Sequence, residues 1–235
     1  PVRFRRLGGL PSFGSLPEIG LKFGVLSMND LLSRLLDTRL IAVLRTDSGE
    51  ALLETAEALL EGGVEAIEVT FTVPKAPQII EQVADRLGDR ICLGAGTVLD
   101  PETARIAILA GARYVVSPHT DERIIELCRR YSVPVMAGAL TPTETVRAWQ
   151  AGADVVKIFP ADTFGPAYLK ALKGPLPQVR LMPTGGVTVA TAKAFLDAGA
   201  CALGAGSSLV EKSWIERRDR DAIVRRAREF RAAID

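Results

Sequence analysis

Hydrophobic and polar positions follow two different periods along this chain, and the two periods succeed one another regularly from residue 29 onward. Short apolar runs, typical of buried strands, are separated by longer segments in which apolar residues recur every three or four positions, as in amphipathic helices. The runs predict eight strands, at residues 40–44, 66–70, 91–94, 114–117, 133–137, 155–159, 179–183 and 202–205.

The segments between the runs, such as GEALLETAEALLEG and DERIIELCRRY, have the length of helices. A crossover helix after each strand indicates a parallel sheet. Eight such units predict an α/β protein with the (β/α)8 fold, the TIM barrel. A doubly wound open sheet is the alternative, but it usually has fewer strands and often a Gly-rich turn after the first, where this chain has LRTDSGE.

Four predicted helices end on a small residue plus glycine, which suits a left-handed helix cap: Gly63, Gly111, Gly152 and Gly199. The position five residues beyond each glycine falls on strands two, four, six and eight, at Glu68, Val116, Lys157 and Gly204. Alternate strands supply one layer of side chains inside such a barrel. We therefore expect these four at one height, with Glu68 facing Lys157 and Gly204 leaving space.

The stretch VVKIFPAD places Lys157 within an otherwise apolar strand. Because side chains alternate between the two faces, Lys157 shares the inner face with Val155 and Phe159, while Val156 and Ile158 meet the helices. Two interpretations are open. Lys157 forms a buried ion pair with Glu68, or it is a nucleophile that forms a Schiff base while Glu68 transfers protons. The position near a strand's carboxyl end favours the second interpretation.

Two Gly-rich turns, PTGGV at 183–187 and GAGSSL at 204–209, follow strands seven and eight. In (β/α)8 barrels these two loops often bind phosphate through backbone N–H groups and a helix N-terminus, although glycine also makes tight connections. Other candidates at the same end are Arg45 as a charged contact and hydroxyl groups of Thr70, Thr72 and Thr97. Each of these has an ordinary structural explanation as well, as a solvated rim residue, a strand former or part of a tight loop.

Composition narrows the class of partner. The chain is 48% hydrophobic and 24% charged with a net charge of +1, which is typical of one soluble globular domain and not of a nucleic-acid or membrane-surface binder. Three widely spaced cysteines suggest neither a disulfide framework nor a zinc site, so we expect a reduced, cytoplasmic protein. His119, the single histidine, is interpreted as a loop residue. The expected partner is a small molecule.

Residues 1–27 differ from the rest, since they are rich in Gly and Pro and show no clean period. This N-terminal extension is interpreted as non-native or disordered, with a tag remnant, an over-long gene prediction and a genuine arm as open alternatives. The predicted single domain covers residues 28–235.

Taken together, IEVTFT, GAGTV, VSPH, VVKIFPAD, FGPAYLKALKGPLP, PTGGV and GAGSSLV resemble the 2-keto-3-deoxy-6-phosphogluconate (KDPG) and 4-hydroxy-2-oxoglutarate (KHG) aldolase family from Met28 to Glu211. The resemblance implies a class I lyase of the Entner-Doudoroff pathway that cleaves KDPG to pyruvate and glyceraldehyde 3-phosphate. It implies a Schiff base on Lys157, Glu68 as general acid and base, no cofactor or metal, and a homotrimer.

By the same resemblance, Thr97, Pro118, Phe159 and Thr184 bind substrate, and Gly185, Gly186, Gly206 and Ser207 bind phosphate. Many family members carry arginine where this chain has Thr72, and Arg45 is the candidate to supply that charge. Cleavage of 4-hydroxy-2-oxoglutarate to pyruvate and glyoxylate and cleavage of the galactonate epimer are open as activities. A phosphosugar isomerase and a non-catalytic phosphosugar-binding barrel are the alternatives from other classes.

Overall fold

A computed structural model describes residues 27–46 and 48–235 of the chain. The extension predicted over residues 1–27 therefore lies outside the described residues, except for Ser27. The Ser27 side chain accepts a hydrogen bond from the Asp30 amide, and the Asp30 carboxylate accepts one from the Ser27 amide. This capping box begins the first helix, because it pairs N–H groups that have no partner inside a helix.

Eight parallel strands form one sheet in the order β7-β6-β5-β4-β3-β2-β1-β8. Single parallel bridges join Leu181 to Ala200 and Thr184 to Gly204, so the β7 and β8 segments also meet and the barrel is nearly closed. The predicted (β/α)8 fold is confirmed. The strands are β1 Leu40–Leu44, β2 Ala66–Thr70, β3 Cys92–Gly96, β4 Tyr114–Val116, β5 Val135–Ala139, β6 Val155–Ile158, β7 Leu181–Pro183 and β8 Leu203–Ala205.

Two predicted strands begin and end later than their apolar runs suggest. Strand β5 starts at Val135, because Pro134 has no N–H to donate to a neighbouring strand. Strand β3 continues to Gly96, which pairs with Thr70 of β2 although glycine is a weak strand former. The pairing of neighbouring strands therefore decides these boundaries more than local preference does.

Helices follow the strands around the outside of the barrel. They are α1 Met28–Thr38, α2 Gly49–Glu61, α3 Ala76–Leu87, α4 Pro101–Leu109, α5 Glu122–Arg130, α6 Pro142–Ala151, α7 Gly165–Lys173, α8 Val189–Asp197, α9 Lys212–Glu216 and α10 Arg220–Ile234. Gly63, Gly111, Gly152 and Gly199 all have positive φ, as predicted for the helix ends. Among the described residues, no helix is long and apolar enough to span a bilayer.

The buried side chains form two separate clusters. The larger one lies between the strands and the outer helices. The smaller one fills the barrel and contains inward residues of the strands, such as Tyr114, Met136 and Val155, together with Leu31 and Leu35 of α1. Helix α1 thus closes the amino-terminal end of the barrel interior with apolar side chains, and the buried charged side chains of the interior, Glu68 and Lys157, lie towards the carboxyl end.

Candidate active site

Lys157 lies inside the barrel, as the alternation of β6 predicts. Its side chain is 6% exposed, while its neighbours Val156 and Ile158 belong to the outer cluster between strands and helices. On either side, its register partners are Gly138 of β5 and Met182 of β7. An amine at this position, inside the barrel and near the carboxyl end of its strand, lies where a nucleophile of a (β/α)8 barrel would act.

Glu68 on β2 reaches the same space, and its Oε1 atom lies 4.0 Å from Lys157 Nζ. The predicted facing of the two side chains is confirmed. Burial raises the pKa of the Glu68 carboxyl above its ordinary 4.5, and the charges of Lys157 and Arg45 oppose this shift without cancelling it. A carboxyl with a raised pKa can exchange protons closer to neutral pH, which is what a general acid and base requires.

The pair lacks the hydrogen bonds that a structural ion pair needs. Neither carboxyl oxygen of Glu68 has a hydrogen-bond partner within the described part of the chain, and 4.0 Å is too long for a hydrogen bond to Lys157. A buried pair contributes stability only when short contacts and further hydrogen bonds offset the loss of hydration. The geometry therefore favours a functional role for the pair over a purely structural one.

Glycines on neighbouring strands make room for these side chains. A Cβ atom on Gly96 would collide with the Glu68 carboxylate, and one on Gly204 would collide with the Thr184 side chain. A Cβ atom on Gly138 would meet the backbone of Pro118. The glycines at the carboxyl end of β3, β5 and β8 therefore leave space for the groups that the sequence assigns to substrate.

Thr184 follows β7 directly and is 7% exposed. Its backbone is held on both sides, since its N–H donates to the Ile158 carbonyl at 2.9 Å and its carbonyl accepts from the Ala161 N–H at 2.9 Å. The hydroxyl, by contrast, is buried and has no partner among the residues described. A fixed backbone that carries an unsatisfied hydroxyl is suited to binding a polar ligand.

The two predicted phosphate turns lie side by side. The Ser208 hydroxyl in the turn after β8 donates to the Val187 carbonyl in the turn after β7, at 2.5 Å. Gly185 and Gly186 have φ of 93° and 68°, a backbone that other residues rarely adopt. In the described ranges the N–H groups of Gly186 and Ser207 donate no hydrogen bond. Both turns therefore present free backbone donors on one rim.

The helix after each turn begins a few residues further along the chain. The first turn of α8 is capped by Thr188, whose hydroxyl accepts from the Thr191 N–H. Behind the other turn, α9 has only five residues and starts at Lys212. Phosphate binding by these turns stays a prediction.

The remaining predicted substrate residues follow their strands at the same end of the barrel. Phe159 is 38% exposed, and its ring centroid lies 5.3 Å from Lys157 Nζ. Thr97, after β3, is half-buried with φ of 56°, and Pro118 is half-buried after β4. His119 is an exposed loop residue, as predicted.

Arg45 and Thr72 lie on the rim. They line a groove of about 430 Å³ together with Lys212 and Glu216 of α9. Strand β2 ends at Thr70, so Thr72 belongs to the following turn, although the two threonine hydroxyls remain 2.8 Å apart. Arg45 is exposed, yet its charge influences Glu68. The charge that the sequence assigns to Arg45 is thus available near the mouth of the barrel.

Other reactive groups are less suited to catalysis. The three thiols are free, and burial raises the pKa of Cys92 and Cys201 to about 11 and of Cys128 to about 12. They are therefore poor nucleophiles at neutral pH. Over residues 27–46 and 48–235, no three His, Cys, Asp or Glu side chains are grouped so as to hold a metal ion.

Sequence reasoning missed one residue of the interior. Tyr114 on β4 is fully buried inside the barrel, and its hydroxyl has no hydrogen-bond partner in the described structure. Within the apolar run YVVS it counted as an ordinary strand residue. The alternation that places Lys157 inward also places Tyr114 and Val116 inward, so the same signal could have identified it.

Comparisons with known proteins show the family of this chain. The family model described as KDPG and KHG aldolase matches residues 31–226. The 2-dehydro-3-deoxy-6-phosphogalactonate aldolase of Escherichia coli is 37% identical over 171 residues, which is 72% of this chain and 83% of that protein. The 2-dehydro-3-deoxy-phosphogluconate aldolase of Treponema pallidum is 40% identical over 150 residues, 63% of this chain and 71% of that one.

A solved structure with the same fold holds a covalently captured ligand. The KDPG aldolase of Legionella pneumophila, with pyruvate captured at low pH as a covalent carbinolamine intermediate, superposes with a TM-score of 0.80 at 27% identity and covers 89% of this chain and 99% of that one. The family match, the relatives and the shared barrel lead to one conclusion. The chain belongs to the KDPG and KHG aldolase family.

Proposed function

We propose that this protein is a class I aldolase that reversibly cleaves 2-keto-3-deoxy-6-phosphogluconate to pyruvate and glyceraldehyde 3-phosphate. The observation that carries the proposal is the buried Lys157 amine with the unpaired Glu68 carboxyl 4.0 Å away, inside a barrel that is apolar at its other end. The relatives include a 2-dehydro-3-deoxy-6-phosphogalactonate aldolase and a 2-dehydro-3-deoxy-phosphogluconate aldolase, which supports a phosphorylated keto acid as the substrate.

In the proposed reaction the free amine of Lys157 attacks the C2 keto carbon and forms a carbinolamine. Glu68 donates the proton with which the hydroxyl leaves as water, which gives the Schiff base. Glu68, now a carboxylate, accepts the proton of the C4 hydroxyl, the C3–C4 bond breaks, and its electrons form the enamine of pyruvate. The carbinolamine of the Legionella enzyme supports this first step.

The substrate's two charged ends are assigned to different groups at the carboxyl end of the barrel. The Thr184 hydroxyl, which lacks a partner in the described structure, binds the keto-acid carboxylate, and Thr97 and Pro118 line the pyruvate end beside Phe159. The phosphate is held by the turn residues Gly185, Gly186, Gly206 and Ser207. Arg45 and Thr72 contact the charged substrate from the rim, in keeping with the strength of hydrogen bonds between guanidinium groups and anions.

The central experiment traps the covalent intermediate. Incubation with pyruvate and borohydride should reduce the Schiff base to a stable adduct, which mass spectrometry locates on the Lys157 peptide. Lys157→Met should abolish both the adduct and turnover, whereas Lys193→Met, which changes an exposed lysine of α8, should change neither. An isomerase without a covalent intermediate would keep much of its turnover in Lys157→Met, and that result would exclude the aldolase mechanism.

The preferred substrate is open to direct measurement. 4-Hydroxy-2-oxoglutarate and the galactonate-derived epimer differ from KDPG in length or in configuration at C4, and all three release pyruvate. Comparison of kcat/KM for the three substrates, with pyruvate detected by a coupled assay, ranks them. Ligand binding in calorimetry with no pyruvate from any of them would indicate a non-catalytic phosphosugar-binding protein.

We further propose that the protein is a cytoplasmic homotrimer with no cofactor. A candidate contact surface is formed by large apolar side chains that are exposed on and beside α4, namely Leu99, Ile106 and Leu109 at 52%, 48% and 68%. Exposed apolar groups of this kind often mark contacts between proteins. Light scattering coupled to size exclusion should give three times the chain mass, and a monomer mass would contradict the trimer.

A further inference from the structure

Two complementary polar groups inside the barrel have no hydrogen-bond partner in the described structure. One is the Tyr114 hydroxyl on β4, and the other is the Glu68 carboxyl on β2. Both residues are at most 1% exposed. A buried polar group without a partner destabilises the folded state, so two such groups in one interior need an explanation.

The strand register places the two groups in one row. Gly94 of β3 is the register partner of Glu68 on one side and of Tyr114 on the other. A Cβ atom on Gly94 would collide with the Cζ and Cε atoms of the Tyr114 ring, so the tip of the ring lies over Gly94. The ring therefore extends from β4 over β3, the strand that lies between Tyr114 and the strand that carries Glu68.

The tyrosine lies behind the carboxyl as seen from the mouth of the barrel. The Glu68 carboxylate occupies the space over Gly96, two residues closer to the carboxyl end of β3 than Gly94. Tyr114 packs with the apolar interior cluster, which α1 closes from below. A substrate that enters from the mouth would therefore contact Glu68 before Tyr114. Any effect of Tyr114 on the reaction would then have to act through Glu68.

The two groups are also complementary in their protonation. Burial, followed by the charge of Glu68 and the neighbouring Cys92, raises the pKa of Tyr114 well above its ordinary 10.0, so the phenol keeps its proton. Cys92, with a pKa of about 11, is uncharged at neutral pH. The charged groups that act on Glu68 are Lys157 and Arg45. The phenol is thus a neutral donor, and an ionised carboxyl is an acceptor only.

We propose that Tyr114 is a positioning residue whose hydroxyl donates a hydrogen bond to the Glu68 carboxylate, directly or across one water molecule. This bond turns the carboxylate towards Lys157 and favours its ionised form. The inference rests on the proposed aldolase function, because it assigns Tyr114 a role in setting the pH at which Glu68 acts as the base.

The test compares Tyr114→Phe with Tyr131→Phe, which removes a hydroxyl from a partly exposed ring packed against Arg105 outside the barrel. Loss of a hydrogen bond to the carboxylate raises the pKa of Glu68. We expect the acid limb of the kcat/KM profile of Tyr114→Phe to move up by about one pH unit, with KM changed less than about twofold above that limb. The profile of Tyr131→Phe should match that of the unaltered protein.

The borohydride adduct with pyruvate separates the possible failures. If the unaltered protein forms no adduct on Lys157, the aldolase function itself is wrong. If both proteins form the adduct and the acid limb of Tyr114→Phe does not move, the role of Tyr114 is overturned. Should Tyr114→Phe fail to fold, ultraviolet resonance Raman spectra of the unaltered protein and of Glu68→Leu decide, because leucine has no acceptor and identical tyrosine bands would overturn the hydrogen bond.

Discussion

At the scale of single residues, the site depends on groups that lack partners. Lys157 and Glu68 are almost wholly buried, 4.0 Å apart, and the Glu68 oxygens and the Thr184 hydroxyl have no hydrogen-bond partner in the part of the chain described. Burial raises the pKa of Glu68. Such groups destabilise the empty site, and a substrate that supplies the missing contacts recovers that free energy on binding.

Thr184→Val tests whether the unpaired hydroxyl lowers the stability of the protein while it contributes to substrate binding. Valine has nearly the shape of threonine but removes the unpaired hydroxyl, so the free energy of unfolding should stay equal or rise by up to about 1 kcal/mol. The value of kcat/KM should fall about tenfold or more, because the carboxylate loses a donor. Urea denaturation and steady-state kinetics measure the two effects. Thr184→Ser keeps the hydroxyl and should keep most of the activity. If Thr184→Val is as active as the unaltered protein, Thr184 does not bind the substrate.

Gly96→Ala tests whether the position of the Glu68 carboxylate matters. The added Cβ atom would collide with the carboxylate and displace it from Lys157. A displacement of about 1 Å can lower the rate about 100-fold, so kcat should fall at least that far. Gly174→Ala is the matched control, since its nearest contact would be an ordinary 3.4 Å to the Ala171 carbonyl. Comparable kcat in the two variants would contradict the assigned role of Glu68.

At the scale of elements, local sequence signals predict helix and strand types well and some ends less well. The capping residues Ser48, Asp100 and Thr141 each precede a helix and accept a hydrogen bond from its first turn. By contrast, the ends of β3 and β5 lie two residues beyond the apolar runs that predict them. Strand ends depend on which backbone groups the neighbouring strands offer, and a single run of residues does not contain that information.

Asp100→Ala tests the contribution of one such cap. The Asp100 carboxylate accepts the Thr103 N–H at 2.6 Å and begins α4. Its loss should lower the free energy of unfolding by about 0.5–2 kcal/mol. The hydrogen bonds from Thr103 hold the Asp100 pKa below its ordinary 3.8. The charge-dependent part of the stabilisation is therefore complete above pH 3.8 and is lost as the pH falls through the lowered pKa.

Urea denaturation at neutral and at acidic pH checks both parts of this prediction. Asp100→Asn keeps an accepting side chain without a charge, so it should lose little stability at pH 7 and should lack the acid-dependent part. An equal loss in the alanine and asparagine variants at pH 7 would mean that charge, and not capping, stabilises the start of α4.

At the scale of the whole molecule, the barrel has two chemically different ends. Helix α1 and the lower inward residues form an apolar cluster at one end, and turns with free amides and hydroxyls line the other. Because all eight strands are parallel, their carboxyl ends meet at one face, and residues from β2, β6 and β7 reach one site. The apolar side chains at the amino-terminal end contribute to stability, while the polar groups at the carboxyl end are available to bind a ligand.

The proposed single domain starting at residue 28 can be tested by removing residues 1–26. Ser27 then remains to cap α1, whose leucines close the barrel. We expect the shortened chain to keep its Tm within about 2 °C, since a loss of 1 kcal/mol would shift it by about 2–4 °C in a domain of this size, and to keep its kcat/KM. A chain starting at Met28 loses the cap and should be less stable by about 1 kcal/mol. A large loss of stability on removing residues 1–26 would indicate that the extension belongs to the domain.

The sequence by itself determined the count of strands, the inward direction of Lys157 and the common height of Lys157 and Glu68, because these follow from periods of two and 3.6 residues and from repeated glycine positions. Only the tertiary structure decided the 4.0 Å separation of that pair, the unpaired hydroxyls of Thr184 and Tyr114 in the described interior, and the neighbouring positions of the turns after β7 and β8. These properties depend on side chains from several strands that meet across a curved, nearly closed sheet. The residue pattern along one strand carries no information about which atoms of other strands lie opposite its side chains.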